Sequence, residues 1–505
     1  MPTARRTNTF TESVIREMTR IANEHGALNL AQGMPDFPMP QPLKDAACMA
    51  IQANINQYAI TWGTPSLRLA IAAKYRRWYD MNVDSERNVT VTCGATEAMA
   101  AVFLALINPG DEVIVFEPFY ENYGPDAILA EATPVFVPLT QPGWTIDADK
   151  LRAAFTSKTK AIIVNTPQNP TGRVLTRGEI SLIAELCVKH NVYAFTDEIY
   201  EHIRYAGDHH ALATWPGMAE RTITISGLST TFSCTGWRLG YAIAPEKESI
   251  AIRKVHDFLT VGAPAPLQEA GAIGMAFDAD YYNHLALEYR ARRDIMCDAL
   301  REGGFTFMVP EGAYYVLADF SALSDLGDVE FAKWLTSDVG VAPVPGSRFF
   351  RPGTPGRSKR LRFPFGKTHE PLPVARALTA TPPPPACPRS APSPPWHRRS
   401  LAPAGFSAEA WYCGKPRNRV MRASGFEAVS ELPPHEQRLL RDSGDAPERL
   451  WAAWAIALRL GRDAVEHAQV HDAPQQDARL ARARARHEEE RATQMLDGLT
   501  VVVVR

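Results

Sequence analysis

The chain has no paired-cysteine pattern, no long apolar run and no marked excess of charge. Each absence closes off a class of protein. Its seven cysteines are spread from Cys48 to Cys413 without a Cys-x-x-Cys pair, so neither a disulfide framework nor a metal site is expected of them. That fits a reducing compartment. The longest apolar stretches, such as Leu450 to Leu458, fall far short of the ~20 residues that span a bilayer, and no membrane partner is expected. With a formal net charge of −2, no global field recruits nucleic acid or acidic membrane. The first ten residues carry charge but no apolar segment follows them, so a secretory signal is not expected and a cytoplasmic setting is. What remains is ordinary globular composition, 45% hydrophobic and 22% charged over 505 residues, enough chain for two to four domains.

The composition changes near residue 380. Before it, short β-branched runs alternate with helical patterns. Asp111 to Phe116, Lys160 to Asn165, Val192 to Asp197 and Arg221 to Ser226 are apolar in their middles, as parallel strands buried on both faces must be. Between them Thr176 to His190 reads as a helix, with Ile180, Leu182, Ile183, Leu186 and Val188 on or near one face. This alternation predicts an α/β fold with a mostly parallel sheet and right-handed crossovers. After Pro245 longer helices are expected at Glu246 to Asp257 and Asp280 to Arg301. Strand-like pieces follow at Gly312 to Leu317 and Leu361 to Phe365, which suits a smaller α+β domain.

Thr381 to Trp396 holds eight prolines in sixteen residues and reads as an extended linker. Beyond it, residues 397 to 505 form a partly helical extension. Glu436 to Gly461 carries one or two Ala-rich helices whose spacing weakly resembles a single HEAT-like repeat. Ala478 to Ala492 is Arg-rich then Glu-rich, the pattern of a solvated helix rather than a nucleic-acid surface.

One further absence matters more than the rest. Ser226 to Gly240 reads Ser-Gly-Leu-Ser-Thr-Thr-Phe-Ser-Cys-Thr-Gly-Trp-Arg-Leu-Gly and contains no lysine, the next one downstream being Lys247. This stretch resembles the cofactor segment of the fold type I, class I/II aminotransferases that use pyridoxal 5'-phosphate, in the branch of kynurenine, methionine and aspartate-type enzymes. The resemblance runs from about Thr9 to Leu378. In that family the residue before Thr231-Phe232 is the lysine that holds the cofactor covalently and then shuttles the proton. Here it is Thr230.

The resemblance implies a large cofactor-binding domain at 45–275, a small domain from 1–44 and 276–380, and a homodimer with shared active sites. Asp197, in Thr196-Asp-Glu-Ile-Tyr200, matches the carboxylate that pairs with the cofactor's ring nitrogen. Asn169 and Tyr200 match the groups that bond its phenolic oxygen. Tyr120, in Glu117-Pro-Phe-Tyr120, matches the aromatic against the ring face. Phosphate recognition needs donors at a helix start and a fixed cation. Gly94, Ala95 and Thr96 match the first, Arg238 the second, with Ser226 or Ser229 adding a hydroxyl. Tyr58 matches the tyrosine that reaches the phosphate of the partner subunit. For the substrate carboxylate the matches are Arg362 and the backbone of Gly33, with Arg360 on the same strand face as the rival cation.

The partners implied are an amino acid and a 2-oxo acid. A threonine hydroxyl can neither form the covalent link nor act as a useful base at neutral pH. Three readings follow: an aminotransferase with very slow turnover, a protein that binds the cofactor or its amino-acid adduct, or a lysine-independent chemistry using Tyr58 or Tyr200 as base. The resemblance fades after Lys367 to Glu370, as in a fusion or a shifted reading frame.

Overall fold

The computed structural model describes residues 13–367. The expected end of the small domain at 368–380, the linker at 381–396 and the extension at 397–505 lie outside the described residues.

In chain order the helices are α1 (Val14–His25), α2 (Gln41–Gln52), α3 (Pro65–Tyr79), α4 (Ala95–Leu106), α5 (Tyr123–Leu129), α6 (Ala148–Ala154), α7 (Arg177–His190), α8 (Glu246–Thr260), α9 (Ala265–Met275), α10 (Ala279–Glu302) and α11 (Asp328–Trp334). The strands are β1 (Leu28–Asn29), β2 (Val89–Thr92), β3 (Glu112–Glu117), β4 (Thr133–Pro138), β5 (Thr159–Asn165), β6 (Tyr193–Asp197), β7 (Thr222–Gly227), β8 (Gly240–Ile243), β9 (Thr306–Phe307), β10 (Tyr315–Asp319), β11 (Val341–Ala342), β12 (Val344–Pro345) and β13 (Arg360–Pro364).

A seven-stranded sheet runs β2-β8-β7-β6-β5-β3-β4, parallel throughout except for β8, which is antiparallel to both its neighbours. The doubly buried strands explain their sequences. Ile114, Ile162, Val164 and Ala194 pack into the core on one face with α7. Their alternate neighbours Val113, Ile163, Phe195, Ile223 and Ile225 meet α4 and Ile252 of α8 on the other. A four-stranded antiparallel sheet, β12-β13-β10-β9, and the two-stranded parallel pair β1-β11 gather the residues around 306–364 with the N-terminal segment. No helix among the described residues is long and apolar enough to cross a membrane.

Helix α7 shows how local sequence sets the frame. The Thr176 hydroxyl accepts from the Glu179 N–H at 3.3 Å and the Glu179 carboxylate accepts from the Thr176 N–H at 2.8 Å, a reciprocal cap of the kind usually worth about 1 kcal/mol. Of the expected apolar face, Ile180, Ile183 and Leu186 are buried, together with Ala184 and Cys187. Val188 is not; it is 43% exposed.

Candidate active site

A cavity of about 280 Å³ opens where the chain leaves the C-terminal ends of β2, β3, β5, β6 and β7, the edge at which open α/β sheets hold ligands. Of the residues singled out in the sequence, Gly33, Ala95, Thr96, Tyr120, Asn169, Asp197, Tyr200, Ser229, Thr230, Arg238 and Arg362 line it. Gly94 lies just behind. Two others lie elsewhere. Ser226 points away, its hydroxyl donating to the Glu198 carbonyl at 3.3 Å and the Glu201 carboxylate at 3.4 Å, so Ser229 is the serine at the cavity. Tyr58 is 87% exposed and outside it.

The acidic wall begins at Asp197, on the last residue of β6. Its Oδ2 accepts from the Tyr123 hydroxyl at 2.7 Å. Burial pushes its carboxyl up to about 6, and the bond from Tyr123 restrains that rise. Tyr123 and Asp126, one turn apart on α5, were not legible as site residues. Asp126 lines the same cavity, its Oδ2 is buried without a partner, and burial alone lifts its carboxyl to about 7. A folded-state value above the unfolded one means the folded chain holds the extra proton between about pH 4 and 7, so stability falls as pH rises through that window. Asp126→Asn should therefore stabilise the cofactor-free protein by about 2 kcal/mol at pH 8, half of what the full shift would give. The gain should vanish near pH 4; equal melting curves for the two proteins at pH 8 would contradict it.

At the opposite end the first turn of α4 presents backbone N–H groups with no intrahelical partner. Its start is braced: the Glu97 carboxylate accepts from the Cys93 N–H at 3.0 Å and is reached by His256 of α8 at 3.0 Å. The Arg238 guanidinium lies against Gly94, where a Cβ would stand 2.3 Å from its Nη2. Gly94 also has φ +83, which disfavours a side chain there, and any Cβ would push the Arg238 guanidinium aside.

A second cation, Arg362, is buried. It donates to Asn169 Oδ1 at 3.0 Å and to the Ala31 carbonyl at 3.3 Å, while its Nε has no partner. The ring of Tyr315 lies 4.4 Å from its guanidinium carbon. Arg360, two residues away, is occupied by the Gly356 carbonyl at 2.7 Å, Gln141 at 2.8 Å and Asp319 at 3.5 Å. Gly33 faces the same end. Its carbonyl accepts from the Tyr314 hydroxyl at 2.9 Å, and a Cβ would meet the Tyr315 hydroxyl at 2.6 Å.

Thr230 lies in the cavity wall with its hydroxyl donating to the Ile199 carbonyl at 2.7 Å. No lysine lines the cavity among the described residues. A buried one, Lys74, sits beyond Ser226, bonded to Glu201 and 3.3 Å from the Tyr241 hydroxyl. Burial works against its charge, but Glu201 more than compensates and keeps it an ammonium. Glu201 also accepts from Tyr79, and Glu198 pairs with His209 at 2.9 Å. These links pin the 197–201 loop from behind. Tyr200, at the front of that loop, shares its hydroxyl with Tyr315 at 3.0 Å; burial and the neighbouring Tyr315 and Tyr314 push it well above an ordinary phenol.

The set fits pyridoxal phosphate in its parts. There is an anion seat at α4 and Arg238, a carboxylate at the end of β6, an aromatic wall at Tyr120, and a buried guanidinium with an unpartnered N–H. Residues 26–377 match the family described as aminotransferase class I and II. The chain is 40% identical over 380 residues to the probable N-succinyldiaminopimelate aminotransferase of Mycobacterium tuberculosis, covering 73% of this chain and 96% of that one. The solved structure of that aminotransferase superposes with a TM-score of 0.73, covering 75% of this chain and all of that one, at 40% identity. Methionine aminotransferase of Escherichia coli is 37% identical over 352 residues, 70% of this chain and 91% of its own. With the mostly parallel sheet of fold type I and these relatives at hand, the chain belongs to the class I and II aminotransferases, enzymes that use pyridoxal phosphate.

Proposed function

We propose that this protein binds pyridoxal phosphate without a covalent bond and moves amino groups between an amino acid and a 2-oxo acid very slowly, because Thr230 stands where the family's lysine does. The observation that carries the proposal is the convergence of Asp197, Asn169, Tyr200, Tyr120, Arg238 and Arg362 on one cavity whose wall holds Thr230 and no lysine. When bound, the cofactor supplies an electron sink for the pair released at the substrate's α-carbon. Asp197 holds negative charge at the ring-nitrogen end at neutral pH. Asn169 and Tyr200 serve the phenolic oxygen, Tyr120 the ring face. Gly94, Ala95, Thr96, Ser229 and Arg238 hold the phosphate. Arg362 and the Gly33 backbone orient the substrate carboxylate.

What the cavity lacks among the described residues is a lysine to move the proton. Positioned general acid–base help is worth about 10²–10⁴-fold. Thr230 cannot supply it, and its hydroxyl is committed to Ile199. Tyr200 is still less ionised at neutral pH than free tyrosine because burial raises it, and Tyr58 is outside the cavity, which counts against a lysine-independent chemistry in a single chain.

The remaining matches support two domains, 45–275 and 1–44 with 276–380, and the kynurenine, methionine and aspartate-type branch. They also support a homodimer in which Tyr58 reaches the partner's site. Phe258 at 93% and Met49 at 68% exposure join Tyr58 as large side chains facing outward, as an unpaired interface would. Unpaired Cys48, Cys93, Cys187, Cys234 and Cys297 suit a cytoplasmic setting.

The test adds cofactor, amino acid and 2-oxo acid to the purified protein. The expected result is a saturable change in the cofactor spectrum with keto acid forming at least about 10²-fold more slowly than in a lysine-bearing variant. A spectrum that changes while no keto acid ever forms favours the binding-protein reading. Rapid turnover would contradict both.

A further inference from the structure

We propose that Tyr123 is a positioning residue for the cofactor's ring nitrogen: its hydroxyl fixes the Asp197 carboxylate and keeps it ionised. The inference rests on the pyridoxal phosphate reading. Tyr123 opens α5, three residues after Tyr120, and the two rings meet edge to face at 5.7 Å. Tyr120 thus packs one side of Tyr123, and its hydroxyl is left one acceptor, Asp197 Oδ2 at 2.7 Å. Asp197 has little else. Its Oδ1 receives only the Ile199 N–H at 3.5 Å, a marginal distance. A buried carboxylate with one good donor depends on that donor, because each hydrogen bond to a charged oxygen is among the stronger kind.

The surroundings reinforce this dependence. From its own loop Asp197 faces Glu198 and Tyr200, from β10 and β13 come Tyr315 and Arg362, and from α5 come Tyr123 and Asp126. Glu198 works against a second negative charge. Arg362 donates to Asn169 and Ala31, not to Asp197. Asp126 is mostly neutral below pH 7 and so neither donates a lasting charge nor competes for Tyr123 in the range where Asp197 titrates. Tyr123 itself stays a phenol, because burial and the Asp197 charge push it far above its ordinary value. It is therefore a permanent donor.

The test measures pyridoxal phosphate binding by the full-length protein from pH 5 to 9. Wild-type protein should lose affinity as pH falls through about 6, where Asp197 takes up its proton. In Tyr123→Phe the half-loss should move upward by about one unit, so that affinity falls about twofold at pH 7 and about tenfold at pH 5, the full size expected for one hydrogen bond to a charged group. In an Asp197→Asn background Tyr123→Phe should make no further difference, whereas a merely structural tyrosine would cost affinity there too. Installing 3-fluorotyrosine at position 123 keeps the shape and strengthens the donor, so the half-loss should move downward. An unmoved pH profile in both variants, or a loss of equal size at every pH and in the Asp197→Asn background, overturns the inference while leaving the cofactor reading intact. Wild-type protein that binds no pyridoxal phosphate at any pH removes that reading, and this inference with it.

Discussion

Lysine in place of Thr230 should raise transamination by at least about 10²-fold, the lower end of what a positioned general base contributes, and give the loaded protein a lysine-linked absorption band that wild-type protein lacks. The expectation follows from what is already in place. Position 230 is in the cavity wall among Asp197, Tyr200, Ser229 and Arg238, and Thr230 makes one side-chain bond, to the Ile199 carbonyl. Replacing it removes little that the 197–201 loop needs, because Glu201 with Lys74 and Tyr79, and Glu198 with His209, hold that loop independently. A lysine there would stand in the same cavity wall as Asp197 and Tyr120, where its amine could serve as a base. Steady-state rates and absorbance spectra of the two proteins check the point. No gain in either would locate a second defect away from position 230.

Arg362→Ala and Asp197→Ala should part along ligand lines, and by large factors. Arg362 is 1% exposed and its Nε is unpartnered, so a substrate carboxylate meets a guanidinium already stripped of water. Hydrogen bonds to charged groups are worth about 1.5–3 kcal/mol each, and a planar pair uses two. Arg362→Ala should therefore weaken amino-acid binding by at least about 10²-fold. Its effect on the cofactor should be smaller and come through Asn169, whose Oδ1 accepts from Arg362 at 3.0 Å. Asp197→Ala should do the reverse, weakening the cofactor most. Binding is the readout for both, since turnover is limited by Thr230 in this account. Titrations in which both changes weaken the same ligand equally would undo the division.

Strands buried on both faces are legible because their composition leaves no other home for them: Lys160 to Asn165 and Arg221 to Ser226 lie within one residue of β5 and β7. The expected strand at Gly312 to Leu317 begins later, at Tyr315, because Gly312 bridges Arg204 and Ala313 turns with φ 55. Most residues singled out by a local motif line one cavity, Ser226 and Tyr58 excepted. Contacts set by tertiary geometry carry no such local signal. Tyr123 bonds a residue 74 positions away and Lys74 one 127 away, distances no periodicity encodes. Arg360 and Arg362 share a strand face, so alternation alone could not separate them. Gln141 and Asp319 do, by occupying the first. Ser226 and Ser229, alternatives on sequence alone, are separated in a related way. On β7 the Ser226 hydroxyl turns to Glu198 and Glu201 behind the cavity, and only the chain after the strand, at Ser229, reaches the front.

The central claim is that this cavity takes pyridoxal phosphate without bonding to it. Reducing the loaded protein with borohydride and mapping the peptides by mass spectrometry tests that directly. The account predicts no stoichiometric cofactor adduct in wild-type protein, and a single full-occupancy adduct at position 230 in Thr230→Lys. A stoichiometric adduct on any lysine of the wild-type chain would contradict it.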